Sequence, residues 1–140
     1  MKWFLKAFVA AHVWLYHSTA GRLGSTMRGG RLLLLTTTGR KTGKARTVPV
    51  MYTEDPHGNP VVCASAAGAP AHPAWFTNLA ANPDVTVEVP GRSFPARAVV
   101  TAGEEREALW RELTARHPGF LEYTRKTDRA FPMVVLKPAA

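Results

Sequence analysis

The chain has 140 residues, a single cysteine (Cys63) and a formal net charge of +8. That length fits one domain with a core of its own, and a lone cysteine excludes an internal disulfide framework, so the fold suits a reducing, cytoplasmic compartment. The charge is one-sided: residues 1–53 carry nine Lys/Arg and no Asp or Glu, whereas residues 54–140 carry nine Lys/Arg and ten Asp/Glu. An excess so concentrated argues for an anionic partner (nucleic acid, an acidic membrane surface or a polyanionic small molecule) over a merely solvated face.

The chain opens on an amphipathic helix. Trp3, Phe4, Ala7, Phe8, Ala11, Trp14 and Leu15 share one broad face at helical spacing, with Lys2, Lys6 and His17 opposite. Lys6 and His12 interrupt the apolar stretch, which argues against a secretory leader despite the Ser18-x-Ala20 pair. The uncharged run Ala7–Gly21 is too short to span a bilayer. The helix is expected to pack on the domain, with peripheral contact at a membrane interface as the sharper alternative. "TAGRLGSTMRGGR" reads as a glycine-rich connector, and Arg31–Thr37 as a buried strand.

Gly39–Lys44 is a loop, and Ala45–Thr53 a second strand in which Pro49 implies an edge or a bulge. "EDPHGN" is a turn, followed by a third strand in "PVVCAS". "HPAWFTNLAANPD" is a short helix with Pro73 at its first position and Pro83 as its stop. "DVTVEV" and "FPARAVVT" form a hairpin. Thr101-x-x-Glu104 predicts a capping box for a helix over Glu104–His117. A short helical piece carries Phe120, Tyr123 and Thr124, and "FPMVVLK" is the last strand. About six short, mainly antiparallel strands with short helices inserted read as an α+β fold whose strands close into a small barrel. Residues 1–30 supply the helix and connector, and residues 31–140 the barrel, of a single domain.

The chemistry concentrates in "GRKTGKAR". An anion site needs backbone N–H groups that face one point, hence glycine, and cations that close on oxygens. Arg40, Lys41, Lys44 and Arg46 supply the charge, Gly39 and Gly43 the freedom, and Thr42 a hydroxyl. The order is neither a Walker loop nor a dinucleotide fingerprint. The five histidines are scattered without an H-x-x-x-H pair, so no metal is expected. No G-x-S-x-G elbow supports hydrolysis. Ser65 reads either as a strand-end cap or as a site hydroxyl, and Trp75, Phe120 and Tyr123 either as core aromatics or as walls of a site.

Taken in order, G-R-K-T-G, A-W-F-T-N-L-A-A-N-P and T-D-R-A-F-P give the chain a resemblance to the deazaflavin-dependent nitroreductase family of split β-barrel oxidoreductases, from about Tyr16 onward. The resemblance implies coenzyme F420 as cofactor, a deazaflavin whose tail carries a phosphate and several carboxylates. It also implies transfer of a hydride to a small electrophilic acceptor such as a quinone, a nitro compound or an enone. By that resemblance Arg40, Lys41, Thr42 and Gly43 hold the phosphate and Arg46 the acidic tail. Thr47, Val48, Pro49, Val50 and Met51 lie along the ring, and Cys63, Ala64, Ser65 and Ala66 close a second side. Ala74, Trp75, Phe76, Thr77 and Asn78 form the opposite wall. Phe120 and Tyr123 cover the acceptor, and Tyr123, Ser65 or ordered water supplies a proton.

Two positions depart from the family pattern: Ala66 stands where many relatives carry lysine, and Phe120 where they often carry tyrosine. The first removes a charge near the ring or tail and the second a donor from the acceptor pocket, and they weaken the expectation of nitroimidazole reduction. Two rivals remain: a flavin mononucleotide enzyme on the same barrel, and a basic nucleic-acid-binding barrel. The second lacks aromatics among the cations of residues 31–51. No nucleic-acid partner is expected, and the chain is expected to be a monomer or weak dimer.

Overall fold

A computed structural model describes residues 2–27 and 29–139, without the side chains of residues 2–4. Among these residues seven strands and four α-helices follow one another, with a 3-10 turn (Ala66–Gly68) between β4 and α2: α1 (Lys2–Ser18), β1 (Thr26–Met27), β2 (Gly30–Thr38), β3 (Ala45–Glu54), β4 (Pro60–Cys63), α2 (Ala74–Ala81), β5 (Asp84–Val89), β6 (Arg92–Val100), α3 (Gly103–Arg116), α4 (Gly119–Tyr123) and β7 (Met133–Pro138). All pairings are antiparallel. The order β2-β3-β4-β7-β6-β5 closes back from β5 onto β2, which gives a six-stranded barrel with β1 as an extra strand on β2. The α+β split barrel expected from the sequence is the fold observed.

Strand β2 explains the closure. Leu32–Leu35 are buried on both faces, as a continuous apolar run requires, while Arg31 before them is exposed. Leu33 and Leu35 point inward, onto a core with Tyr52, Val62, Val87, Val134 and Leu136. Leu32 and Leu34 point outward and are covered by Tyr16 and Val13 of α1. A second outer layer forms where Leu109 and Leu113 of α3 cover Val61, Met133 and Val135. At one end of the barrel, Leu79, Trp75 and Phe76 of α2 plug the interior.

Helix α1 packs on the barrel, but through a different face from the one its periodicity predicts. Tyr16 is fully buried, and its hydroxyl donates to Leu32 O (2.9 Å) and Glu88 O (3.2 Å). His12 Nε2 meets Gly24 O at 2.7 Å, and His17 Nδ1 meets the Glu88 carboxylate at 2.8 Å. These polar anchors fix the rotation, so Ala7, Phe8, Ala11, Trp14 and Leu15 face outward; Trp3 and Phe4 lie outside the described side chains. The helix is apolar nearly all round, and its polar ties decide which side docks. Among the described residues no helix is long and apolar enough to cross a membrane.

Two helix starts also differ from expectation. Pro73 sits just before α2, not inside it. The capping box on α3 does not form: the cap position is Ala102, and the Thr101 hydroxyl donates instead to Met133 O at 2.8 Å. Burial of Thr101 beside β7 makes that bond the better use of its only donor.

Candidate cofactor and acceptor site

The strand pair β2–β3 ends in the loop Gly39–Lys44, and its shape follows from internal bonds. Gly39 N–H donates to Lys44 O (2.8 Å) and Gly43 N–H to Gly39 O (2.7 Å). Gly43 has φ +70, where a side chain would be strained, and a Cβ on Gly39 would meet Thr42 Oγ1 at 2.7 Å. Thr42 Oγ1 accepts from Lys44 N–H (3.2 Å). The loop is tied to α2 by Asn78, whose side-chain carbonyl accepts Arg40 N–H (3.1 Å) while its amide donates to Thr37 Oγ1 (3.1 Å). Asn78 is 8% exposed, so both of these bonds are made out of bulk water.

What the loop leaves unused is suited to an anion. The N–H groups of Lys41 and Thr42 have no partner among the described residues. Arg40, Lys41, Lys44 and Arg46 are exposed, and none forms an ion pair among the described residues. Beside them opens a cavity of about 440 Å³, walled by Arg40, Lys41, Thr42 and Arg46 on one side and by Val48, Ala74, Trp75, Thr77 and Asn78 on the other. Free N–H groups and uncompensated cations around one hollow form a site for phosphate or carboxylate oxygens.

A second cavity of about 280 Å³ lies on the other side of Trp75, the residue common to both walls. It is lined by Pro49, Val50, Met51, Cys63, Ser65, Ala66, Phe120 and Tyr123, together with Met27, Leu32 and Ala67. Its β3 wall is an open strand edge: β3 pairs with β4 only over Tyr52–Glu54, leaving residues 45–51 bonded on one side. Pro49 has no N–H, so its pairing with Leu34 is the non-hydrogen-bonded kind. By alternation, the amides of Thr47 and Met51 turn to the open edge. This is the edge that Pro49 implied in the sequence.

The chain leaving β4 is strained where it borders this cavity. Ala66 (φ 49), Ala67 (φ 54) and Gly68 (φ 84) follow one another in the left-handed region. For each alanine this costs about 1–2 kcal/mol. The Gly68 position also admits no side chain, since a Cβ would lie 2.8 Å from Tyr123 O. The run is held by Arg129, which donates to Ala64 O (2.9 Å), Ser65 O (2.7 Å) and Ala69 O (2.9 and 3.1 Å). The Ser65 side chain lines the cavity. Burial pushes the Cys63 thiol up to about 12, with the Arg106 and Arg129 cations pulling the other way, so it is a neutral, apolar part of the wall.

The structure brings most of the expected residues together and separates a few. Thr47 points to the opposite face of β3 from Val48 and bonds Thr36 Oγ1 (2.7 Å) beneath α1. Ala64 is fully buried, Phe76 packs into the end of the barrel core, and Gly43 shapes the loop without lining it. Several lining or supporting residues were not foreseen: Leu32 and Thr37 read only as strand residues, and Met27, Ala67 and Arg129 were not singled out. Met27 comes from the segment that read as a glycine-rich connector. Ala67 needed a backbone angle to be noticed. Arg129 lies in the T-D-R-A-F-P motif, which carried the resemblance without giving the arginine a role.

These features define a deazaflavin-type split barrel, and the chain belongs to the F420H(2)-dependent quinone reductase family, whose model matches residues 8–138. An F420H(2)-dependent quinone reductase of Mycobacterium tuberculosis is 36% identical over 129 residues, covering 89% of this chain and 86% of its own. Two solved structures are also similar. An F420-H2 dependent reductase is 40% identical with a TM-score of 0.68, over 76% of this chain and 93% of the other. A domain-swapped dimer is 36% identical with a TM-score of 0.69, over 89% of this chain and 98% of the other. The protein is therefore an oxidoreductase, and its cofactor is coenzyme F420.

Proposed function

We propose that this chain seats the phosphate and carboxylate tail of F420 on the Gly39–Arg46 cradle and its ring along the open edge of β3, and that it reduces a quinone held against Phe120 and Tyr123. The observation that carries the reading is the pair of cavities meeting at Trp75, one cationic and one mainly apolar. Four unpaired cations exceed what one phosphate needs, which favours a multiply charged tail over a flavin mononucleotide. Bound in reduced form, the deazaflavin supplies a hydride.

The chain's own residues do the rest. Lys41 and Thr42 N–H groups and the four cations bind the tail. Asn78 keeps the Arg40 backbone in place. Met51 N–H meets a polar ring edge, while Val50, Cys63 and Trp75 exclude water around the transfer. Conversion of a quinone to its hydroquinone takes one hydride and one proton. Tyr123 and Ser65 both line the cavity, and the hydroxyl of either donates that proton. Phe120 meets Tyr123 edge-on, ring centroids 5.5 Å apart, and gives a planar acceptor an apolar surface to lie against.

The test is to follow the absorbance of F420H2 with the protein against benzoquinone, naphthoquinone and nitroimidazole panels. Quinone-dependent oxidation above the protein-free rate is the expected result. Its absence with every quinone sinks the reading. The chain is read as a monomer or weak dimer, which light scattering checks against the domain-swapped relative. Peripheral contact with anionic lipid would use the outward Leu5, Phe8 and Trp14 of α1, and vesicle sedimentation measures it.

A further inference from the structure

The geometry points to Arg129 as a positioning residue that aims one backbone N–H, that of Ala66, at an oxygen in the cavity beside Phe120 and Tyr123; this rests on the proposed function. Arg129 is not part of that cavity's lining, whereas Ser65 and Ala66 are. Its guanidinium spends its donors on main-chain carbonyls on either side of the left-handed run: Ala64 O at 2.9 Å and Ser65 O at 2.7 Å before it, and Ala69 O at 2.9 and 3.1 Å after it. His72 Nδ1 accepts one further contact at 2.9 Å, and the guanidinium lies 5.0 Å from the centroid of the buried Phe131 ring. A planar fork of five N–H groups fits three carbonyls at fixed angles, and a lysine ammonium does not.

The consequence follows from peptide planarity. In a trans peptide the C=O and N–H point in opposite directions. The Ser65–Ala66 peptide has its carbonyl on Arg129, so the Ala66 N–H points away from Arg129, on the side where Ala66 borders the cavity. That N–H has no partner among the described residues, unlike those of Gly68 and Ala69, which donate to Ser65 O (3.0 Å) and Ala66 O (3.0 Å). The positively charged guanidinium on the same peptide's carbonyl also polarises the N–H and strengthens it as a donor. The ligand chemistry it fits is a carbonyl oxygen that gains negative charge as the hydride arrives, that of a quinone.

The experiment compares Arg129→Lys and Arg129→Gln with the wild type. Expected is a loss of at least tenfold in kcat/KM for a naphthoquinone, carried mainly by kcat, while F420 affinity by fluorescence titration stays within threefold. In the cofactor-free protein, hydrogen exchange at Gly68 and Ala69 accelerates, and exchange at Gly43 does not change. Turnover and exchange both unchanged overturn the inference. So does a fall in F420 affinity equal to the fall in turnover, because Arg129 would then serve the cofactor's seat. If neither variant melts cooperatively, the wild type decides: Gly68 and Ala69 amides exchanging as freely as an open loop overturn it. A wild type inactive with every quinone sinks the proposed function instead, whatever the variants do.

Discussion

Replacing Asn78 by alanine separates organising the anion cradle from touching its ligand. The substitution removes both bonds that Asn78 makes, to Arg40 N–H and to Thr37 Oγ1. A neutral hydrogen bond contributes about 1 kcal/mol net, and stranding the buried Thr37 hydroxyl adds to that, so the expected loss is about 2–3 kcal/mol. For 140 residues, an unfolding entropy of about 2.1 cal/mol/K per residue converts this to a Tm lower by about 7–10 °C. The loop then has to be ordered by its ligand, and F420 affinity falls by about tenfold, or 1.4 kcal/mol. Circular dichroism melts give the first number, and fluorescence titration at 20 °C, where the variant is folded, the second. Lys41→Ala is the comparison, expected to lose affinity with no loss of Tm. An Asn78→Ala protein with lowered Tm but wild-type affinity would refute the cradle argument, because the loop would bind equally well untied.

Further outcomes follow from the same geometry. Arg40→Ala or Lys41→Ala weakens F420 binding at least about tenfold and flattens its dependence on salt, and unchanged affinity in both removes the anion assignment. Tyr123→Phe lowers turnover more than cofactor affinity if its hydroxyl gives the proton; equal turnover assigns the proton to Ser65 or water. Ala67→Gly relieves a left-handed alanine and raises stability by about 0.5–1 kcal/mol, read by urea unfolding. At alkaline pH, the Cys63 thiol, raised from 9.0 to about 12, makes stability full below pH 9 and progressively lost between pH 9 and 12, at about 1.4 kcal/mol per unit. Cys63→Ala is expected to flatten that slope.

The barrel was legible because its signals were local. Leu32–Leu35, the alternating valines of β5 and the β3–β4 turn each identify their own element, and Pro49 announced the open edge. The cradle was legible for the same reason: its cations and glycines are contiguous in sequence. The packing face of α1 was not, because a helix apolar on most sides is oriented by partners far along the chain, Leu32 O and the Glu88 carboxylate among them. Arg129 was hidden in the same way. Its three carbonyl partners lie about sixty residues upstream, and nothing in the spacing of an arginine marks a contact with backbone. Met27 reaches the cavity only because a two-residue strand, β1, folds back on β2.

The incomplete pairing of β3 bears on how the molecule survives without its coenzyme. A closed barrel presents no edge to its neighbours, and this one departs from closure along residues 45–51. Under the proposed seating, the coenzyme lies along the stretch of β3 that the short β4 leaves unpaired and covers the amides that would recruit foreign chains. On that seating, loss of the coenzyme uncovers a strand edge that a second chain could pair with.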